Sequence, residues 1–262
     1  MFSTKIKKSF NFFIHQKFQV LDMGCGVGGP MRRIAKFSGS EVTGVTLNEY
    51  QVKRCEEITS SDIKKIVKVR QGDFTNLDLP NESFDKIFSI EAHCHVNPRT
   101  KPYSEAYRLL KKGGYMATYD WVVTPKYDPS NLLHVKAKKG IEYGDALPDL
   151  ITAEEIAKQA EEIGFEVVEH YDINLKAQER FGTDNVPWYK PLEPGFSMEN
   201  WKSTWIGRQI TTNLLKVLER CRIVPSGSVA TAKMLEEGAM NLVEGGKLGI
   251  FTPMHFFLYR KN

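Results

Sequence analysis

The chain has 262 residues, 41% hydrophobic and 26% charged, with a net charge of +4, an ordinary composition with room for one large domain or one domain and an elaborated cap. The positive charge is scattered, so short basic groups such as 5–8 and 136–139 read as solvated faces; nucleic acid is not indicated, while contact with an anionic membrane surface stays open. The longest uncharged apolar-rich run, 248–259, contains Pro253 and His255 and falls short of the roughly 20 residues a bilayer crossing needs, and 1–18 lacks the apolar core of a secretory signal.

From Phe18 onward strand and helix patterns alternate, the signature of a parallel sheet covered on both faces. A strand over 18–23 runs into Asp22-Met23-Gly24-Cys25-Gly26-Val27-Gly28-Gly29, and a helix follows over 29–37. This strand, glycine turn and helix N-terminus bring backbone N–H groups to the strand's carboxyl end, where ligands bind in such sheets. Gly24, Gly26 and Gly29 fit G-x-G-x-x-G, which alone would suit a dinucleotide. Asp22 argues otherwise: its carboxylate would repel a pyrophosphate, whereas S-adenosylmethionine has no phosphate and carries an ammonium and a sulfonium.

A second strand over 41–45 is followed by Thr46, Leu47 and Asn48 and a helix over 49–59. Thr46 stands near where a dinucleotide site expects a ribose-binding acid, and Gln51 is either a hydrogen-bonding partner for ribose or part of a capping box with Asn48. After a third strand, 66–70, comes Gly72-Asp73-Phe74, an acceptor and a ring for an adenine edge and face, or an Asx turn. A fourth strand, 84–90, leads to Glu91-Ala92-His93-Cys94-His95. A helix near 101–110, stopped by Gly113-Gly114, precedes a fifth strand, 115–119, and Tyr119-Asp120-Trp121. Two carboxylates, two imidazoles and two rings at adjacent strand ends suit stabilisation of a carbocation and removal of a proton from it. Glu91 and Asp120 also read as plain helix caps. No metal site is expected, because His93, Cys94 and His95 lack a second spaced pair.

Beyond Trp121 a linker-like stretch, 124–150, holds Pro125, Pro129 and Pro148. An acidic amphipathic helix over 153–163 stops at Gly164, a strand resumes over 165–168, and 178–194 is turn-rich around Pro187 and Pro191. Helical patterns over 198–221 and 228–243 precede a final strand over 249–259. Trp201 and Trp205 share a helical face, with Trp188 and Tyr189 nearby, which reads as core packing or as the wall of an apolar pocket or membrane-facing surface. Cys25, Cys55, Cys94 and Cys221 show no paired spacing and read as free thiols of a reducing compartment, the cytoplasm. The expected fold is α/β, a doubly wound, mostly parallel seven-stranded sheet. Its divisions are a short N-terminal segment (1–18), a cofactor-binding core (19–175), a helical cap (176–248) and the last strand (249–262).

At these residues the chain resembles the sterol side-chain methyltransferases, which methylate sterols at carbon 24. The resemblance runs through Val20 to Pro30, Val42-Thr43-Gly44 with Asn48 to Gln51, Gly72-Asp73-Phe74, Ile90-Glu91-Ala92 with Cys94-His95, and Lys126 to Pro129. It continues in Pro187-Trp188-Tyr189 with Pro191-Leu192, Leu242 to Lys247 and Ile250 to Met254. The resemblance implies a class I, Rossmann-like methyltransferase fold and electrophilic alkylation of the sterol side-chain double bond by S-adenosylmethionine. Its candidate cofactor contacts are Asp22, Gly24, Cys25, Gly26, Thr46, Leu47, Gln51, Asp73, Phe74 and Glu91. Glu91, His95, Tyr119 and Asp120 would face the cation. The implied partner is a sterol, with peripheral contact at the endoplasmic reticulum membrane and homo-oligomerisation left open. Three features depart from the family pattern: only 1–18 precedes the glycine loop, 97–101 does not follow the usual loop, and Asp120 stands where the family commonly has glutamate. Two alternatives follow from the residues. Thr46, Leu47 and Gln51 also look like the cofactor segment of cyclopropane synthases, which suggests another lipid or small molecule as substrate; the short N-terminal segment suggests a catalytically silent binding paralogue.

Overall fold

Strands form where β-branched and apolar residues cluster between glycine- or proline-marked turns. The structure, a computed structural model, describes residues 17–181, 186–194 and 204–262, and the expectations placed on Trp201 and on residues 1–16 lie outside these. The strands are β1 (Gln19–Met23), β2 (Glu41–Thr46), β3 (Val67–Gln71), β4 (Phe84–Ile90), β5 (Leu110–Val123), β6 (Phe165–Asp172) and β7 (Phe251–Lys261). They make one seven-stranded sheet in the order β3-β2-β1-β4-β5-β7-β6. The β1–β2, β2–β3, β1–β4 and β4–β5 pairs are parallel. Strand order therefore reverses at β1, which has β2 on one side and β4 on the other, and this is where an open α/β sheet leaves a crevice at its carboxyl edge.

Two compact units divide the chain. The first comprises Met1–Asp120, Glu154–Tyr171 and His255–Asn262. It holds helices α1 (Gly29–Ser38), α2 (Glu49–Ile58) and α3 (Thr100–Leu109). Val20, Met31, Ala35, Val42, Cys55 and Phe88 form a core within it. Gly113 and Gly114 do not stop α3. The helix ends at Leu109, the glycines lie inside β5, and Gly113 takes φ 74° where the β4–β5 register jumps from Phe84–Leu110 to Lys86–Tyr115.

The second unit comprises Trp121–Ala153 and Asp172–Met254. The stretch expected to be a linker contains α4 (Leu132–Gly144), capped by the Asn131 side chain on the Leu133 N–H. Helix α5 (Ala153–Ile163), formed as expected, belongs from Glu154 onward to the first unit, and α6 (Ile173–Phe181) of the second is an element the sequence pattern did not reveal. Helices α7 (Trp205–Arg220) and α8 (Ser228–Leu248) complete the set, α8 running five residues past its expected end. Helix α4 packs closely on α8: a Cβ on Gly144 would lie 2.1 Å from Gly238 Cα. Val123, Ala137, Ile141, Leu150, Ile250 and Phe251 form this unit's core. Lys138, read as part of a solvated face, is instead buried and paired with Glu142 at 2.7 Å and Asp149 at 2.5 Å. Trp188 packs edge-on against Phe251, and a Cβ on Gly246 would sit 2.3 Å from the Tyr189 ring, so this aromatic pair is packing.

Candidate active site

The glycine turn is built on β1. Val45 O accepts from both Gly24 N–H (3.0 Å) and Cys25 N–H (2.9 Å), and Cys25 O accepts from Gly28 N–H at 2.8 Å. Gly24 has φ 94° and comes so close to the β4 loop that a Cβ would stand 2.2 Å from Ala92 Cβ. Gly26 has φ 53° and nothing within 4 Å of where its Cβ would be, so its backbone borders open space. Gly28, at φ 76°, is the N-cap of α1 and offers no side chain to the helix's first N–H groups.

Gly24 and Gly26 border a cavity of about 550 Å³, within the usual range for small-molecule and cofactor sites. Thr46, Leu47, Gln51, Asp73, Phe74, Glu91 and His95 also line it, so most of the expected cofactor contacts converge. Asn48, Thr75, Ala92, Val96 and Lys101 line it too. Lys101 went unrecognised among them; it sits on the opening turn of the helix after a strand tip, as Gln51 does, and that shared position was the available signal.

The side chains are held from below. Asn48 Oδ1 accepts from the N–H groups of Tyr50 (2.9 Å) and Gln51 (3.3 Å), capping α2. The Gln51 side chain does not close a capping box: its Oε1 accepts from Thr46 Oγ1 at 2.5 Å, at the cavity wall. Asp73 makes the Asx turn through Oδ1, which accepts from Thr75 N–H and Oγ1–H at 2.8 and 2.7 Å. Both bonds fall on one oxygen, which leaves Oδ2 for a ligand amine. Glu91 takes φ 53° at the end of β4, an uncommon conformation for a side-chain-bearing residue, and its N–H donates to Tyr119 O at 2.7 Å.

Four expected site residues are placed differently. Asp22 is 2% exposed and is not part of the cavity lining; burial pushes its carboxyl up to about 8. Cys25 contributes backbone to the turn while its thiol packs in the core, where burial, then Asp22 and Cys55, push its pKa up. Tyr119 supplies the carbonyl that holds Glu91 and does not line the cavity. Asp120 is fully buried: Oδ1 accepts from Cys94 N–H at 3.0 Å, and Oδ2 lies 3.5 Å from Nε of buried Arg99. Alternation along β5 turns Asp120 inward with Thr118 and Met116. Asp120 thereby fixes the His93–His95 turn, while His95 itself reaches the cavity. His93 is buried, and desolvation, with Arg99 adding to it, lowers its pKa to about 3, so its ring stays neutral. Among the described residues no group of three or more His, Cys, Asp or Glu gathers as a metal site.

The cavity lining has the mixed character that S-adenosylmethionine requires: carboxylates at Asp73 and Glu91, a cation at Lys101, an amide at Gln51, a ring at Phe74 and open backbone at Gly26. A sheet in this order with that turn at the β1 tip defines a class I S-adenosylmethionine-dependent methyltransferase. Solved structures share the fold. The geranyl diphosphate C-methyltransferase of Streptomyces coelicolor matches with a TM-score of 0.62 at 16% identity, covering 98% of this chain and 77% of that one. A phosphoethanolamine N-methyltransferase of Haemonchus contortus matches at 0.64 and 20%, covering 98% and 52%. Residues 21–118 match the methyltransferase domain family and 198–262 the sterol methyltransferase C-terminal family. The cycloartenol-C-24-methyltransferase of Arabidopsis thaliana is 42% identical over 93% of this chain and 71% of its own length. The sterol 24-C-methyltransferase of Debaryomyces hansenii is 36% identical over 95% and 67%. The chain belongs to the sterol 24-C-methyltransferase family.

Proposed function

We infer that this chain is an enzyme that transfers the methyl group of S-adenosylmethionine to carbon 24, at the side-chain double bond of a sterol, in sterol biosynthesis. The observation that carries the reading is the convergence of Glu91 and His95 with the cofactor-type lining of one cavity, in a chain of this family. Gly24 and Gly26 would bring backbone to the cofactor, Thr46 and Gln51 would bind ribose hydroxyls, and Asp73 with Phe74 would take the adenine edge and face. Lys101 suits the cofactor's carboxylate. When bound, the cofactor supplies a sulfonium methyl whose departing thioether keeps the electron pair of the broken bond.

The alkene's π pair makes the new carbon–carbon bond, so the adjacent substrate carbon becomes cationic. Glu91 would set a negative charge against that carbon, and after a hydride shift the proton released would pass to His95 or Glu91. No nucleophile needs activating, so positioning and charge stabilisation supply the acceleration. Asp120 would act at one remove, by holding the turn that carries His95.

The reading extends to a working place on the cytoplasmic side of a sterol-bearing membrane such as the endoplasmic reticulum. No helix among the described residues is long and apolar enough to cross a membrane, which is compatible with peripheral contact. Incubation with methyl-labelled S-adenosylmethionine and a sterol unsaturated at carbon 24 should put label on that carbon. Label recovered only in other lipids, or cofactor binding with no label transferred, would overturn the reading.

A further inference from the structure

Helix α7 presents an apolar stripe to solvent. Ile206, Ile210, Leu214 and Val217 follow one another at steps of four, four and three, so they share one face, and they are 60%, 53%, 55% and 58% exposed. Ile223, 69% exposed, continues the stripe into the turn between α7 and α8. On α8, Leu235 is 55% exposed and borders an apolar groove of about 460 Å³ shared with Thr211 of α7. An exposed row of large apolar side chains along one helix face marks an interaction site.

The charges beside it narrow the partner. Lys216 and Arg220 sit four apart along one flank of the stripe, Arg222 follows in the turn, and Lys233 stands on the second turn of α8. Among the described residues no carboxylate forms an ion pair with these four cations; Glu236 and Glu237 line one cavity with Lys216 and Lys233, and Glu236 is held by Arg208 at 2.9 Å. The acid closest in sequence to them, Glu219, is committed to the turn itself: its oxygens accept from Gly227 N–H (2.8 Å) and Val229 N–H (3.0 Å). The hairpin tip is thus a pinned structure, apolar on one face and with more cations than acids beside it, Lys216, Arg220, Arg222 and Lys233 against Glu219 and Glu237. A second copy meeting it face to face would set like charges against each other, which disfavours a symmetric dimer here. An anionic membrane surface meets both requirements: acyl chains take the isoleucine and leucine side chains, and headgroup phosphates take the cations.

We propose that the α7–α8 hairpin docks this protein on an anionic membrane surface. The inference rests on the sterol reading for its purpose, since the substrate of that reading resides in membranes. The docking is nonetheless measurable without turnover.

The protein should float with vesicles of phosphatidylcholine mixed with phosphatidylserine and float far less with phosphatidylcholine alone. Replacing Lys216 and Arg220 together by Gln should lower partition onto the mixed vesicles by roughly thirtyfold, on the scale of the per-charge attraction to such surfaces, and added salt should shrink the difference. Ile210→Gln with Leu214→Gln should lower partition onto both kinds of vesicle. All four residues are exposed, so circular dichroism should match the parent. Methyl transfer to sterol delivered in cyclodextrin should stay at the parent's rate in both double variants, while transfer to vesicle-held sterol falls. Unchanged partition of both variants would overturn the docking surface. So would sedimentation as a dimer that the Ile210/Leu214 pair abolishes, which would make the face a subunit contact. Absence of methyl transfer from cyclodextrin in the parent would instead strike the sterol reading and leave the vesicle result standing.

Discussion

Gly24 and Gly26 both have positive φ, yet they are required for different reasons. A methyl at Gly24 meets Ala92 Cβ at 2.2 Å, whereas one at Gly26 meets nothing within 4 Å. Gly24→Ala should therefore cost about 3 kcal/mol of stability from overpacking and backbone strain together. Ala92→Gly in the same chain should restore the overpacking part, read as the urea midpoint; no rescue would show that the turn fails for another reason. Gly26→Ala should cost only about 1 kcal/mol in stability but roughly tenfold or more in cofactor affinity, because its methyl enters the cavity.

Asp22 gives a pH signature. Its folded carboxyl titrates near 8 against an ordinary 3.8, raised by burial. The folded state then holds a proton the unfolded state has lost, so the stability contributed by this group is complete below about 3.8 and is lost as pH rises through about 8. Urea unfolding followed from pH 4 to pH 9 reads that loss directly, and Asp22→Asn, which cannot titrate, should remove this group's share of it. Asp120→Asn tests the other reassigned acid. It leaves buried Arg99 without its counter-charge and should cost about 3–5 kcal/mol of stability, while the amide oxygen can still accept from Cys94 N–H. Unchanged unfolding with lost turnover would return Asp120 to the reacting cation.

At the scale of elements, the sequence made β1 through β4 and their loops legible. The strands are short and carry β-branched or apolar residues, with polar ones interleaved in β2 and β3, and each loop carries residues whose chemistry is visible without knowing the fold. Asp120 misled because a strand-end acid looks the same whether it faces a cavity or a buried arginine. Helix α4 was hidden for a related reason. Its flanks carry prolines, its sequence includes two glycines and three lysines, and Leu132 is 83% exposed, so no amphipathic face announces it. Its stability comes from α8, through the contact of Gly144 with Gly238 and of Gly140 with Asn241, a pairing that local propensity cannot report. Gly144→Ala forces a methyl against Gly238 Cα, where only backbone can yield, and should cost about 1–3 kcal/mol or more. Gly140→Ala meets the Asn241 side chain instead, so pairing it with Asn241→Ala should recover much of the loss in thermal unfolding. Equal behaviour of the two glycine variants would remove the close helix contact as the cause.

For the whole molecule, the question is whether two units with separate cores unfold as one. The chain passes between them at Asp120/Trp121, Ala153/Glu154, Tyr171/Asp172 and Met254/His255, and the first and last of these passages fall inside β5 and β7. Melting either unit therefore interrupts a continuous strand of the other, which should couple the two transitions. The sequence supplies the probe. The described tryptophans, Trp121, Trp188 and Trp205, fall in the segments of the second unit, whereas every residue lining the candidate cofactor cavity belongs to the first. S-adenosylhomocysteine at about 100 times its dissociation constant should stabilise the folded chain by about 2.7 kcal/mol. If the units unfold together, the urea transition followed by tryptophan fluorescence should move by that amount, in step with the transition followed by far-ultraviolet circular dichroism. A fluorescence transition that stays in place while the dichroism transition splits would show that the ligand holds only the unit it binds.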